Sequence, residues 1–313
     1  MKILIVGAGS IGSEIAYLFS NEYEITCIDH GRSFSILKKK LPKVRFVKGD
    51  INNEKLICTE AKDVDFVFYC INTGSVISCI NSPVKYKKIN EKDFKKFIKI
   101  VDSVSNSHFF LFSSCYVYPD MKNATEMVLP DSETNYGKLR LNQEEILKNS
   151  KLSHTILRLS NVFGYGHFFN VGTFGAIEKF IDCVFTNKKI MLYGDGSQNV
   201  DYLYKDDLMN LLKLLIKTKP QNTYNVASNK TYSIAEIAEI INNITFVKYT
   251  KKAKVVKMNT NFKVPNSPTL SIRKIIKDTH WKPSTNIEKQ IREIIRVYTL
   301  EKNILKNNKM HNN

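Results

Sequence analysis

Short apolar runs alternate along this chain with segments whose apolar residues recur every three or four positions. That is the pattern a parallel sheet with crossover helices requires. Runs at 2–6, 24–28, 44–47, 64–70, 108–112 and 154–159 predict strands, and the stretches 11–20, 90–104 and 137–149 predict helices. From residue 165 the pattern changes. A helical stretch at 174–186 precedes Ile190-Met191-Leu192-Tyr193, the turn Gly194-Asp195-Gly196-Ser197, and Tyr202-Leu203-Tyr204. A Leu-rich helix at 207–216, Tyr224-Asn225-Val226-Ala227 and a helix at 234–242 follow. The expected organisation is one large α/β unit, residues 1–165, to which the chain returns at about 190–227. Residues 166–189 and 228–300 would form a smaller part, and the Asn/Lys-rich end, 301–313, a disordered tail.

The first strand runs straight into Gly7-Ala8-Gly9-Ser10-Ile11-Gly12. Gly7 allows a sharp turn off a buried strand, Gly9 a close backbone approach to a pyrophosphate, and Gly12 tight packing of the next helix. The N–H groups of Ser10 and Ile11 then open a helix whose N-terminus favours phosphate. Asp29 ends the second strand, 17 residues after Gly12, where its carboxylate can accept from both hydroxyls of an adenosine ribose. A 2′-phosphate would meet a like charge there, so the expected cofactor is NAD and not NADP. Arg32 is the one feature arguing the other way. Asp50, with Ile51 beside it, lies just past the third strand, within reach of an adenine amine.

Composition narrows the classes. The chain has 313 residues, 43% hydrophobic and 25% charged, ordinary for a globular protein with a large core. Its apolar start is broken by glycine too soon for a signal peptide, and no apolar stretch reaches membrane-spanning length. Six cysteines without a CxxC pair, and no His/Cys cluster at zinc spacing, predict reduced thiols, a cytoplasmic protein and no metal. The net charge is +17, of which +12 falls in residues 246–313, yet only seven of the 47 basic residues are arginine. A Lys-biased background explains this better than a nucleic-acid surface, although a basic lobe also attracts an anionic substrate.

Two segments carry chemistry. Phe109-Phe110-Leu111-Phe112-Ser113-Ser114 is a strand ending in hydroxyls, at the edge of an α/β sheet where ligands bind. Tyr136-Gly137-Lys138-Leu139-Arg140 opens a helix, so Tyr136 and Arg140 share a face while Lys138 points about 200° away. The plain alternatives are a packed tyrosine at a helix start and a serine capping a strand end. Cys115 has no histidine near it in sequence, and His30 and His167 are expected to be solvated loop residues.

These motifs, together with Leu157-Arg158-Leu159-Ser160-Asn161-Val162-Phe163-Gly164, Leu192-Tyr193-Gly194-Asp195-Gly196, Asp201-Tyr202 and Trp281-Lys282-Pro283, resemble the NAD-dependent epimerase/dehydratase family of nucleotide-sugar enzymes. The family belongs to the extended short-chain dehydrogenase/reductase superfamily, and the resemblance runs from Met1 to about Tyr298. It implies a doubly wound, parallel-sheet Rossmann fold with a smaller C-terminal substrate-binding part, and a homodimer through the helices near 90–104 and 137–149. By the same resemblance Ser114 binds a sugar hydroxyl and Tyr136, as phenolate, takes its proton. Asn161 holds the substrate's phosphate through the backbone. A free tyrosine has a pKa of about 10, so the base needs a nearby cation. The family uses lysine four residues on, which also holds the nicotinamide ribose; here Arg140 stands in for it, charged but longer and planar. The arginine that usually precedes Asp-Tyr and contacts substrate phosphate is Val200. Small residues usual after the fourth strand are replaced by Tyr69-Cys70-Ile71-Asn72.

Related dehydratases and decarboxylases carry acids just after the Ser114 position; this chain has Cys115-Tyr116. The expected reaction is therefore C4 epimerisation of a nucleotide sugar, with a 4-keto-sugar reductase as the alternative enzyme. A catalytically weakened NAD-binding regulatory or RNA-associated protein is the alternative of another class.

Overall fold

The computed structural model describes residues 1–71, 76–168, 171, 175–259 and 266–310. Asn72, in the stretch after the fourth strand, and residues 311–313 of the expected tail lie outside the described residues. In chain order the first half runs β1 (Lys2–Val6), α1 (Ser10–Phe19), β2 (Glu24–Asp29), α2 (Phe34–Lys40), β3 (Arg45–Lys48), α3 (Glu54–Ala61) and β4 (Phe66–Tyr69). Then come α4 (Val76–Asn81), α5 (Pro83–Lys87), a π-helical stretch leading into α6 (Phe94–Val104), β5 (His108–Ser114), a 3₁₀ turn (Cys115–Val117), α7 (Asn135–Lys148) and β6 (His154–Leu159). The remainder is β7 (Asn161–Phe163), α8 (Ala176–Phe185), β8 (Ile190–Tyr193), β9 (Asn199–Tyr204), α9 (Lys205–Thr218), β10 (Asn222–Val226), β11 (Thr231–Ser233), α10 (Ile234–Tyr249), β12 (Val255–Met258), α11 (Arg273–Thr279) and α12 (Ile287–Met310).

Seven parallel strands form the main sheet in the order β10-β6-β5-β4-β1-β2-β3. Strand residues alternate between two apolar layers, as a sheet covered on both faces demands. Ile3, Ile5, Phe66, Phe68 and Phe110 enter one layer; Leu4, Val6, Val67, Tyr69 and Phe109 enter the other. Phe68 and Phe110 stack at 4.5 Å between ring centres in the first layer. The chain order reverses between β1 and β4, so the strand ends on either side of that junction open a crevice.

The second part has its own core. Ile177, Ile181 and Val184 of α8 pack with Ile237 and Ile241 of α10 and with Ile291, Ile294 and Tyr298 of α12. Two differences from the expected organisation appear here. β8 pairs with β12 and β9 with β7 and β11, so the chain rejoins the main sheet through α9 and β10 and not at 190. And α12 continues to Met310, so helix replaces the tail expected from about residue 301.

His108, at the start of β5, is 4% exposed and bonded through both ring nitrogens, to Ser153 Oγ at 2.9 Å and Thr155 Oγ1 at 2.8 Å. Burial pushes its imidazole down to about 4, so the folded chain keeps the ring neutral where an unfolded one would protonate it. Stability that is complete above pH 6.5 should therefore be lost as pH falls through about 4. The loss should be of the order of 2 kcal/mol. Urea unfolding of wild type and His108→Gln at pH 7 and pH 4.5 checks this. Parallel pH dependence in the two proteins would exclude His108 as the source.

Candidate active site

At the junction of β1 and β4 lies a cleft of about 1240 Å³, larger than the roughly 300–1,000 Å³ of a typical small-molecule site. Gly7 turns the chain there with φ +98°, its N–H bonded to Ile28 O at 2.8 Å. A side chain at Gly12 would strike the Gly7 carbonyl oxygen, so only glycine lets α1 rise this close to the turn. Gly9 caps α1 without a side chain, and no acid sits in the first turn. The helix end is left for a phosphate, a cradle that fits a dinucleotide.

Gly7, Gly9, Ser10, Ile11, Asp29, Arg32, Asp50 and Ile51 all line the cleft, as expected. Gly12 stands behind it as a packing residue. The Asp29 carboxylate accepts from Ala8 N and Gly31 N, each at 3.0 Å, which fixes it at the mouth of the turn. Asp50 accepts from Asn52 N at 2.8 Å, and this backbone hydrogen bond leads the causes that hold its carboxyl below the usual range. From the expected role of Asp29 as acceptor from the ribose hydroxyls, Asp29→Ala should weaken NAD binding about tenfold or more and erase the preference over NADP. Titration of both cofactors against both proteins checks it. Tighter NADP binding by wild type would refute the assignment and point to Arg32.

β5 carries Ser113 and Ser114 to the same cleft. Ser114 Oγ accepts from Tyr116 N at 3.3 Å, which turns the chain into the 3₁₀ segment. Thr134 caps α7 by accepting from Gly137 N at 3.0 Å. A Cβ at Gly137 would overlap the Tyr116 carbonyl oxygen, so α7 meets this turn backbone to backbone. That contact brings Tyr136 beside Ser114 in the cleft wall. The rings of Tyr136 and Tyr116 lie edge to face, 6.1 Å apart.

Arg140 has two neighbours on its own helix. Its guanidinium carbon lies 5.2 Å from the centre of the Tyr136 ring, so the positive charge is beside the phenol. Nη1, however, donates to Gln143 Oε1 at 2.7 Å within the helix, and the side chain is 2% exposed. Arg140 is not among the described residues that line the cleft. The longer, planar group thus bonds within its own helix while its charge stays beside the Tyr136 ring. Val200 packs outside the described cleft lining. It lies in the apolar cluster of the second part and faces Tyr232 across the strand pair, which agrees with the loss of a charged phosphate contact at this position.

Next to Ser114 and Tyr136, on the same strand and helix, is a buried charge network. Glu144 on α7 accepts from Ser113 Oγ at 2.6 Å and from Arg158 Nη2 at 2.6 Å. Arg158 Nη1 donates to Tyr118 Oη at 2.6 Å, and Tyr118 donates to Asn225 Oδ1 at 3.0 Å. Burial alone would lower the guanidinium pKa of Arg158; the bonds and charge of Glu144 more than offset it.

Asn161 lines the cleft and donates to Ser267 Oγ at 3.4 Å. Burial pushes the Cys115 thiol up to about 11, so it is no nucleophile at neutral pH. His167 is an exposed turn residue, as expected, although its ring also stacks on Tyr17 at 3.8 Å and bonds through Nδ1 to buried Glu14 at 2.8 Å. Glu178 and Lys205 also line the cleft and were not anticipated. Lys205 reads in sequence as one more polar residue at a helix start, and Glu178 interrupts an apolar helix stripe beside Ile177 and Ile181. Among the described residues no three His, Cys, Asp or Glu are grouped to hold a metal, and no helix is long and apolar enough to cross a membrane.

The family model described as NAD dependent epimerase/dehydratase matches residues 3–227. A Methanocaldococcus jannaschii protein whose name assigns it UDP-glucose 4-epimerase activity is 27% identical over 253 residues, 77% of this chain and 81% of that one. The dTDP-D-glucose 4,6-dehydratase of Dictyostelium discoideum is 23% identical over 78% of this chain and 62% of its own length. Among solved structures, the Bacillus cereus UDP-glucuronic acid 4-epimerase in complex with UDP-glucuronic acid and NAD has a TM-score of 0.81 at 22% identity. It covers 95% of this chain and 98% of its own, and shares the fold.

Proposed function

Because the chain belongs to the NAD dependent epimerase/dehydratase family, we propose that it interconverts C4 epimers of a nucleotide sugar, with NAD as a cofactor that is restored in each cycle. The observation that carries this reading is one cleft lined by the Gly7–Ile11 turn, Asp29, Ser114 and Tyr136 together. NAD, when bound, supplies a reversible two-electron acceptor. The chain's own residues do the rest. Ser114 Oγ orients a sugar hydroxyl, Tyr136 Oη accepts its proton and later returns it, and the Arg140 guanidinium favours the phenolate through its charge. Asn161 faces the substrate's phosphate end, and a homodimer through α6 and α7 belongs to the same reading.

Cys115 and Tyr116 supply no carboxylate beside Ser114. Elimination or decarboxylation needs such an acid or base, so simple oxidation and reduction at one carbon is favoured over a dehydratase. The test is a panel of UDP- and dTDP-sugars incubated with purified protein and catalytic NAD, with epimers resolved by chromatography. Interconversion without net change in NAD is the expected result. Stoichiometric consumption of reduced cofactor by a 4-keto-sugar would favour a reductase instead. Tight NAD binding with no turnover across the panel would move the chain to a cofactor-binding regulatory role.

A further inference from the structure

Lys205 is the buried cation of the cleft that the proposed reaction leaves unused. It opens α9, is 2% exposed, and lines the cleft together with Gly164, Gly175 and Glu178. Glu14, Glu178 and Asp206 act on it through space, yet among the described residues none forms a hydrogen bond or ion pair with its ammonium. Of the nearby carboxylates, Glu178 keeps one buried oxygen, Oε2, without a hydrogen-bond partner, and the bonds the three do make run elsewhere. Glu14 accepts from His167 N at 2.6 Å and is paired with the His167 ring, and Glu178 Oε1 accepts from Gly164 N at 2.5 Å. Asp206 interacts with the Tyr204 hydroxyl. An ammonium taken out of water without a hydrogen-bonding partner is costly, so a partner from the cleft is needed to offset that cost.

The same corner adjoins α1, whose uncapped N-terminus carries no first-turn acid; Glu14 stands one helical turn beyond Ser10 on that helix. Lys205 and this helix end thus present two positive features to one side of the cleft. Val200, five residues before Lys205, is committed to apolar packing and supplies none.

We propose that Lys205 donates a charge-assisted hydrogen bond to a diphosphate bound in the cleft, that of the dinucleotide or of the nucleotide sugar. The nucleotide-sugar alternative rests on the function proposed above; the dinucleotide alternative does not. An oxygen of the diphosphate supplies an acceptor to an ammonium that no surrounding carboxylate bonds, and Lys205 supplies a cation where Val200 supplies none.

Calorimetric titration of NAD, and of UDP onto NAD-saturated protein, tests this with wild type and Lys205→Met. Methionine retains most of the packing volume and removes the buried charge, so thermal stability should hold or rise. The ligand whose diphosphate meets Lys205 should bind about 10- to 100-fold more weakly to the variant, and the other should be little changed. Lys205→Gln provides a second uncharged variant should methionine disturb the fold, with a smaller loss in the same ligand. Affinities within twofold of wild type for both ligands in the folded variant would overturn the proposal. If wild type takes no UDP and turns over no nucleotide sugar, the functional reading fails, while the NAD titration still decides the role of Lys205.

Discussion

Tyr136→Phe is expected to lower nucleotide-sugar turnover by about 10²–10⁴-fold, the range for losing a positioned acid/base group, while NAD affinity changes little. The phenylalanine ring keeps the packing against Tyr116 and under the Arg140 guanidinium. Only the oxygen that receives the sugar's proton is removed. Arg140→Ala should also slow turnover, because the phenolate loses the charge beside its ring, and this variant additionally leaves a hole within α7. Arg140→Lys separates the two effects: an ammonium retains the charge, so its activity should exceed that of the alanine variant. Rates measured on a confirmed substrate check all three. A phenylalanine variant as fast as wild type would remove Tyr136 from the mechanism altogether. Equal rates for alanine and lysine at position 140 would show that the cation's charge is immaterial.

Glu144→Ala should destabilise the fold by about 3–5 kcal/mol, the cost of stranding a buried charge whose partner is deleted. Arg158 is 3% exposed and directs two of its nitrogens at this one carboxylate, so it has no route to water when the acid goes. Ser113 loses its acceptor at the same time. Chemical denaturation of wild type and variant gives the difference directly. The double variant Glu144→Ala, Arg158→Met should recover much of the loss, since no charge then remains unpaired. A single-variant cost below about 1 kcal/mol would mean that Arg158 finds another partner and that the network is not what joins α7 to β5 and β6.

Much of the dinucleotide half was legible because its signals are local. Glycines at 7, 9 and 12 and an acid at 29 each do one steric or electrostatic job within a single βαβ unit, and all but Gly12 face the cleft as expected. The strands were legible because both faces of the sheet are covered, which makes them near-continuous apolar runs. The surroundings of Arg140 and Val200 were not legible, for the opposite reason. Whether an arginine turns toward a ligand or back to Gln143 depends on a competing partner three residues away, and sequence spacing cannot weigh the two. Lys205 and Glu178 meet from different elements, across a separation that no local pattern encodes. In the terminal helix, Ile287, Ile291, Ile294, Ile295 and Tyr298 form a stripe at helical spacing that packs on the second core, whereas the Asn/Lys-rich stretch after residue 300 gave no sign that the helix runs on.

The backbone-to-backbone contact at Gly137 bears on how such a cleft can change its substrate. Side-chain contacts can be retuned by swapping one residue for a slightly larger or smaller one; a contact between a glycine and a carbonyl has no such dial. Ser114 and Tyr136 are consequently held as a fixed jig, and adjustment is easier where Glu178 of α8 and Lys205 of α9 line the same cleft with side chains. Diversification of this scaffold, in nature or by directed evolution, is thereby channelled to such side chains while the jig itself stays locked.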